Sequence, residues 1–319
     1  MGKAEAVHIL FCDTTFEHCR EMLAPYLPDD ELACCPKEEL AEAIGEAEIA
    51  IPLMAQLNAG VIARGRRLRM IHQYGVGLEG VDVAAAKERG IIVARVPSAD
   101  TGNAIAVAEQ ALALMLALAR RQPEQGAALV ARKLGAPKGM TLYGSRVAIL
   151  GLGNIGRALA ERLRALSMNV VAIREHPQPG DAAAFGLEFV GSSADVVDVV
   201  READFVVITL PVTESTRGLV NREVLSAMKP SGYLVNVSRG PVVDYESLLW
   251  ALQSNAIAGA GLDVYWEEPV DPADPILRER VVASPHVGGV TTYSYDLMAQ
   301  ALAANIERLR AGEPVLNAV

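Results

Sequence analysis

Gly151-Leu152-Gly153-Asn154-Ile155-Gly156 lies between an apolar run, Val147-Ala148-Ile149-Leu150, and a stretch with Leu159, Leu163 and Leu166 at i, i+4 and i+7. A tight turn from a buried strand into an amphipathic helix satisfies both flanks. That turn commits the middle of the chain to a βαβ unit on a parallel sheet. Gly151 permits the sharp reversal, Gly153 lets the backbone approach a pyrophosphate, and Gly156 lets the helix pack on the strand. Asn154 and Ile155 begin the helix, whose unpaired N–H groups and positive dipole end suit phosphates. The expected ligand is a dinucleotide.

The same alternation of apolar runs and helical patterns extends along most of the 319 residues. Such a length suits two domains at roughly 150 residues each. Residues 7–11, 48–53, 68–72 and 90–93 read as strands, with helical stretches at 37–44 and 83–88. Residues 104–121 read as one long helix, apolar on nearly all faces and therefore buried. A second strand series follows at 147–150, 170–173, 205–210, 232–236 and 258–263. The segment 122–144 reads as a surface excursion. Residues 294–310 read as an amphipathic helix returning to the first domain.

Composition excludes several classes. Apolar residues make up 51% and charged residues 21%, so the chain is globular rather than disordered. A formal net charge of −10 argues against nucleic-acid and anionic-membrane partners. The longest apolar run, 111–119, is too short to span a bilayer. Five histidines and four scattered cysteines do not suggest a metal framework, so no metal is expected. Cys12, Cys19, Cys34 and Cys35 read as reduced thiols, which with an N-terminus lacking an apolar signal points to the cytoplasm.

The second strand of a dinucleotide unit normally ends on an acid that bonds the adenosine ribose. Arg174 stands at that place, 18 residues after Gly156, and Glu175 follows it. A cation there favours the 2′-phosphate of NADP, whereas Glu175 favours NAD. The residues leave both cofactors open.

Three further polar residues follow apolar strands: Arg239 in Asn236-Val237-Ser238-Arg239-Gly240-Pro241, Glu268 before Pro269, and His286 in Ser284-Pro285-His286-Val287-Gly288. Ligands of open α/β sheets bind beyond the carboxyl ends of strands. A guanidinium, a carboxylate and an imidazole beside a nicotinamide suit hydride transfer to a 2-oxo acid. Arg239 would bind the substrate carboxylate and polarise its carbonyl. Protonated His286 would donate to the carbonyl oxygen, and Glu268 would hydrogen-bond and stabilise that imidazolium.

With these segments, Gly75-Val76-Gly77-Leu78-Glu79-Gly80-Val81-Asp82, Val107-Ala108-Glu109 and Leu210-Pro211-Val212-Thr213, the chain resembles the D-isomer-specific 2-hydroxyacid dehydrogenase family over almost its whole length. The resemblance implies two doubly wound parallel-sheet α/β domains, flavodoxin-like and Rossmann, with the active site in the cleft between them. Residues 1–102 with 289–319 would form the substrate domain, and residues 103–288 the inserted dinucleotide domain. The family's catalytic roles fall on Arg239, Glu268 and His286. The backbone N–H groups of Val76 and Gly77 would hold the substrate carboxylate. Leu53 and Met54 would face a small apolar or uncharged substrate side chain. The cofactor would lie along Thr209, Leu210, Pro211, Thr216, Val237, Ser238 and Gly288, with Asp263 near the nicotinamide amide. A homodimer built on the cofactor domains is also implied.

Rival readings remain within this resemblance. Formate dehydrogenases carry an amide where Glu268 stands, although Asn103 resembles their substrate-binding asparagine. A phosphoglycerate enzyme would want an arginine in residues 49–61, where Leu53, Met54 and Gln56 stand, and the chain's end at Val319 leaves no room for a regulatory domain. Glyoxylate, hydroxypyruvate, pyruvate or a longer 2-oxo acid fit better. A different class is a dinucleotide-dependent, corepressor-like binding protein, which could keep the same three polar residues.

Overall fold

Residues 6–16 and 18–319 are described by the computed structural model. The chain divides into two units, one formed by residues up to Asn103 with Thr291–Val319, the other by Ala104–Val290.

In the first unit, β1 (His8–Phe11), β2 (Glu31–Cys34), β3 (Ile49–Ile51), β4 (Met70–Gln73) and β5 (Ile92–Arg95) form a parallel sheet in the order β2-β1-β3-β4-β5. Ile9, Leu10, Phe11, Ile49, Ile51, Met70 and Ile71 are all buried. Continuous apolar runs of this kind belong to strands covered on both faces. β2 escaped the sequence reading because it is a half-exposed edge strand, Glu31-Leu32-Ala33-Cys34, without alternation. Helix Thr292–Ala311 belongs to this unit. Thr291 caps it by accepting from the Ser294 N–H at 3.1 Å, and Gly312 ends it with a φ of 69°. The Tyr295 ring meets Tyr74 edge-on with centroids 5.7 Å apart.

His72, fully buried in β4, ties that helix and the C-terminal segment to the sheet. Its Nε2 lies 2.9 Å from Asn305 Nδ2, a donor, so its Nδ1–H donates to Gln73 O at 3.1 Å. Asn305 in turn brackets Leu316, accepting from its N–H at 2.8 Å and donating to its carbonyl at 2.9 Å. Both ring nitrogens are satisfied by a neutral imidazole. Burial lowers its pKa from 6.5 to about 4, against the opposing pull of the Gln73 carbonyl. An unfolded chain therefore binds a proton below pH 6.5 that the native chain refuses. This part of the stability is complete above that pH and lost as pH falls from 6.5 towards 4, to a total of about 3 kcal/mol. Urea midpoints followed over that window should fall less steeply in His72→Gln than in the wild type, and equal slopes would refute the assignment.

The second unit holds β6 (Arg146–Leu150), β7 (Asn169–Ile173), β8 (Phe189–Gly191), β9 (Phe205–Ile208), β10 (Tyr233–Asn236), β11 (Gly259–Leu262) and β12 (Val281–Ala283). They form a parallel sheet in the order β12-β11-β10-β9-β6-β7-β8. The chain winds outward from β6 to β8 and then returns to β9 on the other side. The reversal leaves a crevice beyond the carboxyl ends of β6 and β9. Helix Asn103–Ala119 packs on this sheet, with Leu114 and Leu118 against Gly261 of β11. It ends two residues earlier than the sequence suggests, at the left-handed Arg121 (φ 50°). The expected excursion opens with a further helix, Gln122–Val130, started by Pro123 in its first turn. Among the described residues no single helix is long and apolar enough to cross a membrane. The bent pair formed by these two helices passes by length and composition, but the first has its apolar residues in the unit's core.

Candidate active site

The glycine turn lies at the crevice of the second unit. Gly151 takes a φ of 111°, open to glycine and strained for other residues, with its Cα against the Thr209–Leu210 backbone. A Cβ on Gly156 would overlap the Gly151 carbonyl oxygen, so only glycine lets helix Asn154–Ala165 start this close to β6. A Cβ on Gly153 would meet nothing within 4 Å, so that face of the turn is open. Thr209, after β9, donates from Oγ1 to Gly151 O at 2.5 Å and stitches the two sides of the reversal together. Thr216 donates to Pro211 O at 2.6 Å and accepts from the Thr213 N–H at 2.8 Å, closing the loop that follows. An open glycine face at a helix N-terminus fits the pyrophosphate of a dinucleotide.

At the end of β7, Arg174 Nη1 lies 2.9 Å from Asp181 Oδ2. The Glu175 side chain is 83% exposed, with His176 4.0 Å away. The structure thus separates two residues that are adjacent in sequence, one engaged and one solvated.

Arg239, Glu268 and His286 all belong to the second unit, in the loops after β10, β11 and β12. The His286 Nδ1–H donates to Glu268 Oε2 at 2.7 Å. The Tyr265 N–H fixes the other carboxylate oxygen at 2.9 Å. Burial opposes ionisation of Glu268. The bond and charge of His286, the Tyr265 N–H and the Arg239 charge together outweigh it and hold the carboxyl below its ordinary range. All three residues therefore share one electrostatic site. Arg239 also donates from Nη1 to Ser238 O at 2.7 Å, and Asn236 Nδ2 donates to Arg239 O at 2.9 Å. A Cβ on Gly240 would overlap the Tyr265 carbonyl, so glycine lets the loop of Arg239 touch the loop of Glu268. Val237 and Ser238 are buried beneath it.

Asp263 orders the turn that carries His286. Its carboxylate accepts from Ser284 Oγ at 2.6 Å, Val287 N at 3.0 Å and Gly288 N at 2.8 Å, and its carbonyl accepts from His286 N at 2.8 Å. Burial pushes its carboxyl up, and these donors with the His286 charge oppose the rise. They hold His286 at a φ of 53°, a left-handed conformation that costs a non-glycine residue about 1–3 kcal/mol. Gln110 reaches the same network through Ser284 Oγ at 2.9 Å. Sequence reading missed Ser284, Gln110, Asn236 and the Tyr265 N–H. Only the short polar residues at strand ends hinted at them.

Leu53, Met54, Val76 and Gly77 belong to the first unit and are all half-buried. Leu53 also has a positive φ, 53°. The Gln73 side chain, another residue missed, holds it by accepting from Leu53 N at 3.1 Å and donating to Leu53 O at 2.9 Å. Gln73 Oε1 also accepts from Tyr74 N at 3.1 Å, which joins the loop after β3 to the loop after β4. Asn103 is the first residue of its helix and half-buried.

Residues 112–288 match the family described as D-isomer specific 2-hydroxyacid dehydrogenase, NAD binding domain. A D-3-phosphoglycerate dehydrogenase of Methanocaldococcus jannaschii is 32% identical over 316 residues, covering 98% of this chain and 59% of that protein. A glyoxylate reductase of Pyrococcus furiosus is 33% identical over 289 residues, 87% of this chain and 84% of that protein. The crystal structure of an NADPH-dependent glyoxylate/hydroxypyruvate reductase of Sinorhizobium meliloti, in complex with NADP and malonate, superposes with a TM-score of 0.84 at 29% identity, over 99% and 97% of the two chains. This chain spans between 53% and 59% of the phosphoglycerate dehydrogenases it matches.

Proposed function

Because the chain belongs to the D-isomer-specific 2-hydroxyacid dehydrogenase family, we propose that it interconverts a short 2-oxo acid and its D-2-hydroxy acid. The observation that carries this reading is the 2.7 Å bond between His286 and Glu268, on a carboxylate that also feels Arg239. A bound NADH or NADPH supplies the hydride. Arg239 binds the substrate carboxylate and draws charge onto the carbonyl oxygen, since its planar fork serves both acceptors. His286 Nε2 gives its proton to that oxygen in reduction and takes it back in oxidation. Glu268 keeps the imidazole oriented through Nδ1 and stabilises its charged form.

Among the described residues, neither the Val76 nor the Gly77 N–H has an acceptor within the chain, which suits a substrate carboxylate. Leu53 and Met54 favour glyoxylate, pyruvate or hydroxypyruvate over a phosphorylated acid, since residues 49–61 contain no arginine. The chain also pairs with a second copy in this reading. Leu129, Val130 and Leu134, on or just after helix Gln122–Val130, are 80%, 88% and 100% exposed and need a cover. Sedimentation showing only monomer at micromolar concentration would remove the dimer.

The pH profile of Glu268→Gln tests the assignment of roles. Attraction between the charged imidazole and the Glu268 carboxylate holds that carboxyl down, and a neutral amide cannot supply it. The alkaline limb of 2-oxo acid reduction should therefore move towards acid. A profile that stays in place would break the pairing. Turnover is followed with glyoxylate, hydroxypyruvate, pyruvate and 3-phosphohydroxypyruvate against both reduced cofactors. Tight dinucleotide binding with no turnover on any of them would make this a binding protein instead.

A further inference from the structure

Arg174 leaves β7 with its backbone still in the sheet, since its N–H donates to Gly191 O at 2.9 Å at the end of β8. Its side chain turns to Asp181. That carboxylate receives the guanidinium at 2.9 Å and the Gln178 N–H at 2.8 Å on the same oxygen, Oδ2. The Asp181 N–H donates back to Gln178 O at 3.1 Å, so the loop closes on the acid that holds the arginine. The two side chains are only 27% and 12% exposed. A pair this shielded is screened less than a surface pair. Glu175, the acid next to Arg174 in sequence, takes no part in this pair.

An arginine near the end of this strand can accommodate a 2′-phosphate on the adenosine ribose. Asp181 already occupies the same cation. We propose that Asp181 is a specificity-determining residue for the dinucleotide, an internal counter-ion that keeps Arg174 from rewarding a 2′-phosphate. The inference rests on the dinucleotide reading above and goes beyond it, because it names the residue that sets the choice between the two cofactors. A phosphorylated ribose must share or displace Asp181, whereas an unphosphorylated ribose meets a cation already neutralised. The chemistry is charge-assisted hydrogen bonding of one guanidinium to two competing anions.

The test measures binding rather than turnover. Dissociation constants of NADH and NADPH are taken by fluorescence, and those of 5′-AMP and adenosine 2′,5′-bisphosphate by calorimetry. Asp181→Asn keeps an oxygen for the Gln178 N–H and removes the charge. It should tighten NADPH and the bisphosphate about tenfold and leave NADH and 5′-AMP within about twofold. Asp181→Glu should return to the wild-type ratio. In an Arg174→Ala background, Asp181→Asn should have no selective effect. An equal change for both ribose types, or a selective gain that survives without Arg174, overturns the proposal. Failure of every protein, wild type included, to bind any dinucleotide would instead overturn the reading on which it rests.

Discussion

His286→Ala should lower turnover of the 2-oxo acid by about 10²–10⁴-fold while NADH binding changes little. The imidazole is the sole group assigned to move a proton, and its Nδ1 is committed to Glu268 at 2.7 Å. The surrounding turn does not depend on the ring. Asp263 grips the backbone of residues 286, 287 and 288, together with the Ser284 hydroxyl. The backbone at 286 is left-handed, however, and alanine bears that strain no better than histidine. His286→Asn is therefore the sharper variant, because asparagine tolerates this region and cannot act as an acid near neutral pH. Both variants should lose turnover alike, with the wild-type melting temperature kept in the asparagine one. Turnover within about tenfold of wild type in His286→Asn would remove the imidazole from the chemistry.

The glycine turn was legible because sequence-adjacent residues define it. An apolar strand, three glycines and a helical leucine period all fall in residues 147–166. The two parallel sheets were legible for a similar reason, since doubly covered strands such as Phe205–Ile208 are apolar throughout. Short edge strands left no such mark. Phe189–Gly191 and Val281–Ala283 have three residues each and are partly exposed, too few for a period. The residue types after β10, β11 and β12 could be picked out one by one. Their supports could not, because each joins positions that only the folded sheet brings together. Gln73 reaches Leu53 across the β3–β4 pairing, and Gln110 reaches Ser284 from a helix 174 residues away. The Arg174–Asp181 pair is closer in sequence, yet nothing in Arg174-Glu175-His176 marks Asp181, seven residues on, as the arginine's partner. A charge pattern gives proximity along the chain but not the direction in which a guanidinium leaves its strand.

Arg239→Met should cut kcat/KM for the 2-oxo acid by about 10³-fold or more, with the loss shared between kcat and KM. Methionine keeps the apolar length of the stem and removes the fork. One preorganised donor at a developing oxyanion is worth about 10²–10³-fold, and Arg239 is assigned the substrate carboxylate as well. The structural cost should be small. The backbone of Arg239 is held from outside by Asn236 Nδ2 at 2.9 Å, and Gly240 beside it secures the contact with the Tyr265 loop. The guanidinium also helps hold the Glu268 carboxyl down, so its removal lets that carboxyl rise. Arg239→Met should therefore carry a second signature, titration of the Glu268 carboxyl at higher pH than in the wild type, read by NMR of the labelled carboxyl carbon. Arg239→Lys restores the charge as a point without the fork. It should restore the Glu268 titration while leaving most of the kcat/KM defect, which separates the electrostatic effect on Glu268 from bidentate recognition of substrate. If the lysine variant instead recovered both, the fork would be dispensable. If Arg239→Met kept kcat/KM within about tenfold, the substrate's cation would have to be sought elsewhere in the chain.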